Sequence, residues 1–104
     1  MTARRIGSGD VAVLATPMVL TLVERAAMAA LKGRLPKDRT SVGAWVDLHH
    51  VAPSPIGVTV AATARLERVD GRRLEFSVRV SDPAGVVAHG THTRVVVDRA
   101  SFAG

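Results

Sequence analysis

No cysteine occurs among the 104 residues, so neither a disulfide framework nor a thiolate nucleophile is available. That absence fits a reducing compartment. Aromatic residues are almost as scarce: Trp45, Phe76 and Phe102 are the whole set, too few for a platform on which bases could stack. Acids are outnumbered, with 9 Asp and Glu against 14 Lys and Arg, a net charge of +5 and a pI near 11.3. The cations are scattered, and no dense basic run marks a nucleic-acid-binding segment. A polyanionic small ligand, such as a nucleotide-tailed cofactor, suits the charge equally well. A membrane span is missing too, because the apolar run that starts near Val11 ends at Glu24-Arg25. Arg4-Arg5 ahead of that run mimics a secretion signal, but Asp10 and Pro17 interrupt it. Cleavage near Ala30 would also discard the only long helix. The expectation is an intact cytoplasmic protein with no nucleic-acid or membrane partner.

What is present is room for one domain and one core, with 47% apolar and 22% charged residues, an ordinary soluble balance. Its organising stretch is Thr16–Leu31. Thr16 is a good N-cap, Pro17 falls at the first helical position, and Lys32, Gly33 and Pro36 close the helix. Between those ends the residues are apolar almost all round, which predicts a buried helix. Glu24 is the anomaly, since a carboxylate there must find partners or be protonated. A structural reading pairs it with Arg25 or Arg94; a catalytic one makes it a base or nucleophile.

Beyond residue 40 the period changes from helical to alternating. Ser41–Val51 reads as a strand with Val42, Ala44, Val46, Leu48 and His50 on one face and Gly43, Trp45, Asp47 and His49 on the other. Val58–Val69 is a second strand, followed by Asp70-Gly71, the strongest short hairpin signal available. Arg73–Ser81 alternates with Leu74, Phe76, Val78 and Val80 inward, and Asp82-Pro83-Ala84-Gly85 turns the chain. Val86–Asp98 is the last strand, with Gly90 a bulge or point of close approach. The layout is α+β: a long central helix wrapped by a curled antiparallel sheet whose free edge can pair with a second copy. Residues 1–10 form a flexible arm, 11–98 a single domain and 99–104 a frayed tail. His49, His89 and His92 alternate between faces without supporting carboxylates or cysteines, so no metal site is expected.

Four segments together resemble the fluoroacetyl-CoA thioesterase branch of the hotdog-fold thioesterases. They are Leu14–Met18 with Glu24, Val46–Gly57, Val69–Leu74 and Gly90–Arg94, over roughly residues 11 to 98. The resemblance implies a hotdog fold, a homodimer or higher oligomer joined edge to edge, and an acyl-CoA pocket between helix and sheet at the subunit interface. It puts the catalytic set on Thr16, Glu24 and His50, with Gly43 at the substrate carbonyl and Arg94 near the site. His92 stands two residues before Arg94, and from the residues alone the pair has two readings, lining the substrate pocket from one strand face or lying at the surface. The family normally begins with a further strand and an aromatic lid, where this sequence has about ten polar residues, so the first strand is expected to be missing or shortened. No phenylalanine precedes Phe76, and a preference for fluorinated acyl groups has no support.

The implied activity is hydrolysis of a small or medium acyl-CoA thioester, with no cofactor beyond the coenzyme A of the substrate. The alternative is a non-catalytic hotdog module that binds an acyl-CoA or another hydrophobic ligand. Thr16 has two readings, as a helix cap or as a hydrogen-bond partner of Glu24, His50 or the acyl group. Eight residues separate it from Glu24, about two helical turns, so the two side chains do not touch along the helix.

Overall fold

The computed structural model describes residues 15–55 and 57–102; the expected flexible arm and the rest of the lead-in before residue 15 lie outside the described residues. Helix α1 (Thr16–Leu31) is followed by strands β1 (Arg39–His50), β2 (Ala61–Asp70), β3 (Arg73–Asp82) and β4 (Gly85–Asp98) and a short helix α2 (Arg99–Phe102). The strands form one antiparallel sheet in the order β1-β4-β3-β2, and α1 packs on one face of it. No helix among the described residues is long and apolar enough to cross a membrane.

Ala-rich sequence from Ala26 to Ala30 makes the second half of α1 helical at little entropic cost. The first half relies on packing. Val19, Leu22, Val23, Ala27 and Leu31 are buried, one stripe at helical spacing, while Arg25, Met28 and Ala29 face outward. The helix is therefore amphipathic in this chain rather than buried all round, and Met28 is left 53% exposed. The stripe meets Leu74, Phe76, Val78 and Val80 of β3 and Val87, Ala88 and Val96 of β4 in one core. Phe76 is 1% exposed, so truncating it to alanine would cost about 3–5 kcal/mol.

Thr16 does not cap the helix. Ala15 holds the cap position in extended backbone, no side chain bonds the first turn, and the Ala15 carbonyl accepts from the amides of Met18 and Val19 at 3.0 and 3.2 Å. Thr16 is already helical, which frees its hydroxyl for another partner.

Two hairpins order the sheet. Gly71, at φ +59°, turns β2 into β3 as the Asp-Gly pair predicts. Asp82 closes the next turn by accepting from the amides of Ala84 and Gly85 at 2.8 and 3.1 Å. Its other oxygen accepts from the buried Ser54 hydroxyl at 2.9 Å, pinning the segment that joins β1 to β2. β2 starts at Ala61, three residues later than its apolar pattern predicts. Gly90 pairs in unbroken register with both Leu48 and Val78, so it marks close approach and not a bulge. A side chain there would run into the backbone of Asp47 and Leu48. Arg99, expected in a frayed tail, begins α2: its amide donates to the Asp38 carbonyl at 2.8 Å and its Nε to that of Lys37 at 2.9 Å.

The most consequential departure lies in β1. Gly43 pairs with Arg94 and Trp45 with Thr93, leaving Ala44 unpaired in a bulge. A bulged residue shifts the alternation by one. Ser41 and Gly43 consequently share the helix-facing side with Val46, Leu48 and His50, opposite Val96, Arg94, His92, Gly90 and Ala88. Strict alternation had put Gly43 on the outer face and Val42 and Ala44 on the inner one.

Candidate active site

The site residues fall into two groups on the helix-facing side of β1. At its C-terminal end, Thr16 Oγ1 and His50 Nδ1 are in hydrogen-bond contact at 3.1 Å, joining the start of α1 to the end of β1. This contact is what the uncapped hydroxyl of Thr16 does. The other ring nitrogen, His50 Nε2, is buried with no hydrogen-bond partner among the described residues. An imidazole held through one nitrogen, with the second unpaired, is arranged to exchange a proton with something that binds beside it.

The second group gathers around Gly43. A Cβ placed on that glycine would stand 3.3 Å from Glu24 Oε2, 3.4 Å from His92 Cε1 and 3.6 Å from Arg94 Nη1. The missing side chain thus leaves a small space walled by the carboxylate, the imidazole and the guanidinium. His92 and Arg94 are buried, at 0% and 4% exposure, and Glu24 is half-buried. Arg94 donates from Nε to the Ser41 hydroxyl at 2.8 Å, from Nη2 to the Ser41 carbonyl at 2.9 Å, and from Nη1 to His92 Nε2 at 3.3 Å. His92 in turn donates from Nδ1 to the Trp45 carbonyl at 2.9 Å. A carbonyl only accepts and a guanidinium only donates, so His92 is the neutral imidazole with its proton on Nδ1. Burial lowers the Arg94 pKa below the usual guanidinium range, and the Glu24 charge pulls it back upward.

Glu24 itself makes no ion pair or hydrogen bond among the described residues, and the pairing with Arg25 or Arg94 is not formed. Ser41 and His92 hold Arg94 by three of its five N–H groups, close enough for Glu24 to feel its charge. The carboxylate is left unspent. Ser41 escaped the sequence reading because the bulge that turns it inward has no local signature.

The two groups do not meet within one chain. Thr16 and Glu24 are about 12 Å apart along the helix axis, and Gly43 and His50 stand at different ends of β1. Elsewhere, Trp45 is 64% exposed on the outer face, and His49 and His89 stack there with ring centroids 5.5 Å apart. His92 is the histidine that shares the Gly43 gap with Glu24.

A family model described as fluoroacetyl-CoA-specific thioesterase, FlK, matches residues 1–100. The chain belongs to that family. It is similar to the fluoroacetyl-CoA thioesterase of Streptantibioticus cattleyicolor, with 36% identity over 90 residues, 86% of this chain and 65% of the relative. The chain spans less than two thirds of that relative's length. A solved structure of the fluoroacetyl-CoA thioesterase FlK superposes with a TM-score of 0.84 at 35% identity, over 88% of this chain and 68% of that one. A thioesterase superfamily member from Thermus thermophilus gives a TM-score of 0.85 at 26% identity, over 99% and 77%. One helix on a four-stranded antiparallel sheet is thus the hotdog fold, and the family reading of the four sequence segments holds.

Proposed function

We propose that this FlK-family chain hydrolyses an acyl-CoA thioester, acting as a homodimer whose sites are each completed by the second copy. The observation that carries the reading is the half-buried, unpaired Glu24 carboxylate facing the gap at Gly43 beside a restrained guanidinium. Family membership supplies the substrate class, because the relatives it matches are named for an acyl-CoA thioester. The acyl carbonyl enters the gap that Gly43 leaves open. Glu24 takes a proton from a water molecule, whose oxygen bonds to the carbonyl carbon. Negative charge grows on the carbonyl oxygen in the field of Arg94. The intermediate collapses with cleavage of the C–S bond, and the coenzyme A thiolate takes a proton from His50, which Thr16 orients. No cofactor is required.

One chain does not complete this set, since His50 lies away from Glu24. β1 is a sheet edge, and such an edge is a template for pairing. Two copies of β1 pairing antiparallel about a two-fold axis bring the C-terminal end of one toward the N-terminal half of the other. His50 of the second copy then approaches Glu24, and the exposed Met28, Trp45 and Val51 lie on or beside the joined edge.

Mixing two inactive variants tests this. Glu24→Ala and His50→Ala, unfolded together and refolded, form hybrid dimers in which one site regains both groups, so activity returns to about a quarter of wild type. No recovery would mean that each site lies within one chain. If wild type binds acyl-CoA yet releases no thiol, the chain is instead a non-catalytic binding module.

A further inference from the structure

His50 is the last residue of β1, and a strand end frays unless the chain beyond it is held. Its ring has one contact, to the hydroxyl of Thr16, so the aim of the imidazole depends on the backbone that carries it. That backbone is fastened just past the ring. The register between β3 and β4 steps from Ala88 to Val86 and skips Val87, a second bulge in the sheet. The Val87 carbonyl accepts instead from the amides of Val51 and Ala52, the two residues that follow His50, at 2.8 and 3.3 Å.

Two positions further on stands Ser54, a polar side chain with 0% exposure. A hydroxyl buried there without a bond would cost stability. Its Oγ donates to Asp82 Oδ2 at 2.9 Å, and a bond to a carboxylate is stronger than one between neutral groups. The β3–β4 turn does not use that oxygen, because Oδ1 alone accepts from Ala84 and Gly85. Pro53 and Pro55 flank Ser54. Each fixes its own φ and drives the residue before it into extended backbone. A stiff span, Ala52–Pro55, thus carries the restraint at Asp82 back to His50.

We infer that Ser54 and Asp82 are positioning residues for His50. Their hydrogen bond, acting through the two prolines and the double amide contact at Val87, fixes where the imidazole meets the leaving sulfur; neither side chain touches the substrate. The purpose of that aim rests on the thioesterase reading, whereas the tether is measured without turnover. Wild type is compared with Ser54→Ala and with the milder Asp82→Asn, which keeps the shape of the side chain. Amide hydrogen exchange reads the tether: Val51 and Ala52 exchange about tenfold or more faster in Ser54→Ala, a larger change than at the centre of β3, and the Asp82 variant moves the same way. Turnover reads the aim. A basic thiolate needs the His50 proton and an acidic one does not, so the acetyl thioester of an acidic aryl thiol serves as the control substrate. In Ser54→Ala, kcat for acetyl-CoA falls about tenfold or more with KM steady, while the aryl thioester loses less than about threefold. Equal loss on the two thioesters, or no loss on acetyl-CoA, would overturn the positioning role. Unchanged exchange at Val51 and Ala52 would overturn the tether itself. If wild type hydrolyses neither thioester and those two amides still loosen in the variants, the enzyme reading falls and the tether stands.

Discussion

The two halves of the site are built to different standards. Around Arg94 each of the three guanidinium nitrogens has an acceptor: Ser41 takes two, His92 a third, and His92 is itself anchored on Trp45. Around His50 there is one contact, to Thr16, and a buried ring nitrogen left over. Networks whose members are all satisfied fix a geometry, whereas an unmatched buried group costs stability until something arrives to meet it. The first half is a finished mount for a charge. The second is unfinished within one chain, which is why a second copy enters the proposal.

Sharp tests of that contrast come first from Glu24. Replacing it with alanine or glutamine should lower thiol release by at least about a hundredfold, as for loss of a positioned base. The melting temperature should not fall, because no ion pair is broken; a marked drop would mean that the carboxylate is structural after all. Arg94→Met probes the finished half. It strips the buried acceptors of Ser41 and His92 of their donors and should destabilise the fold by about 2–4 kcal/mol in denaturant titration. A change below about 1 kcal/mol would show the mount to be loosely built.

Gly43→Ala sets a methyl group in the gap, 3.3 Å from Glu24 Oε2. Its expected signature is about tenfold loss of activity, of the order of 1.4 kcal/mol, with stability nearly unchanged. Ser41→Ala should reduce kcat several-fold with KM steady, and Ser41→Thr should restore it. In an Arg94→Met background Ser41→Ala should do nothing further, whereas additive losses would separate the two residues. Smallest of all, Thr16→Val should cost less than about 1 kcal/mol of stability, since it deletes one exposed hydrogen bond and no cap; a loss near 2 kcal/mol would restore the capping role.

Much of the scaffold was legible in the residues because its signals are local. The apolar spacing of α1, the Asp70-Gly71 hairpin and the Asp82–Gly85 turn each depend on neighbours within a few positions. So did the choice of Glu24, which stood out against apolar surroundings. What escaped depends on distant partners. Thr16 looks like a cap, yet its hydroxyl goes to His50, 34 residues away. The bulge at Ala44 follows from how β1 lies against β4, and nothing in Val42-Gly43-Ala44-Trp45 announces it. Gly43 reached the site through family resemblance while its alternation pointed outward, and the bulge reconciles the two.

That extra residue in β1 acts as a phase-setter for the whole protein. Excising Ala44 would leave a strand of ordinary pleat, long enough to stay in the sheet, but with its two halves out of step. Either Ser41 and Gly43 or Val46, Leu48 and His50 would then rotate to the solvent side. A single-codon deletion would so divorce architecture from chemistry, giving a chain that still folds as a hotdog with its reactive groups turned inside out.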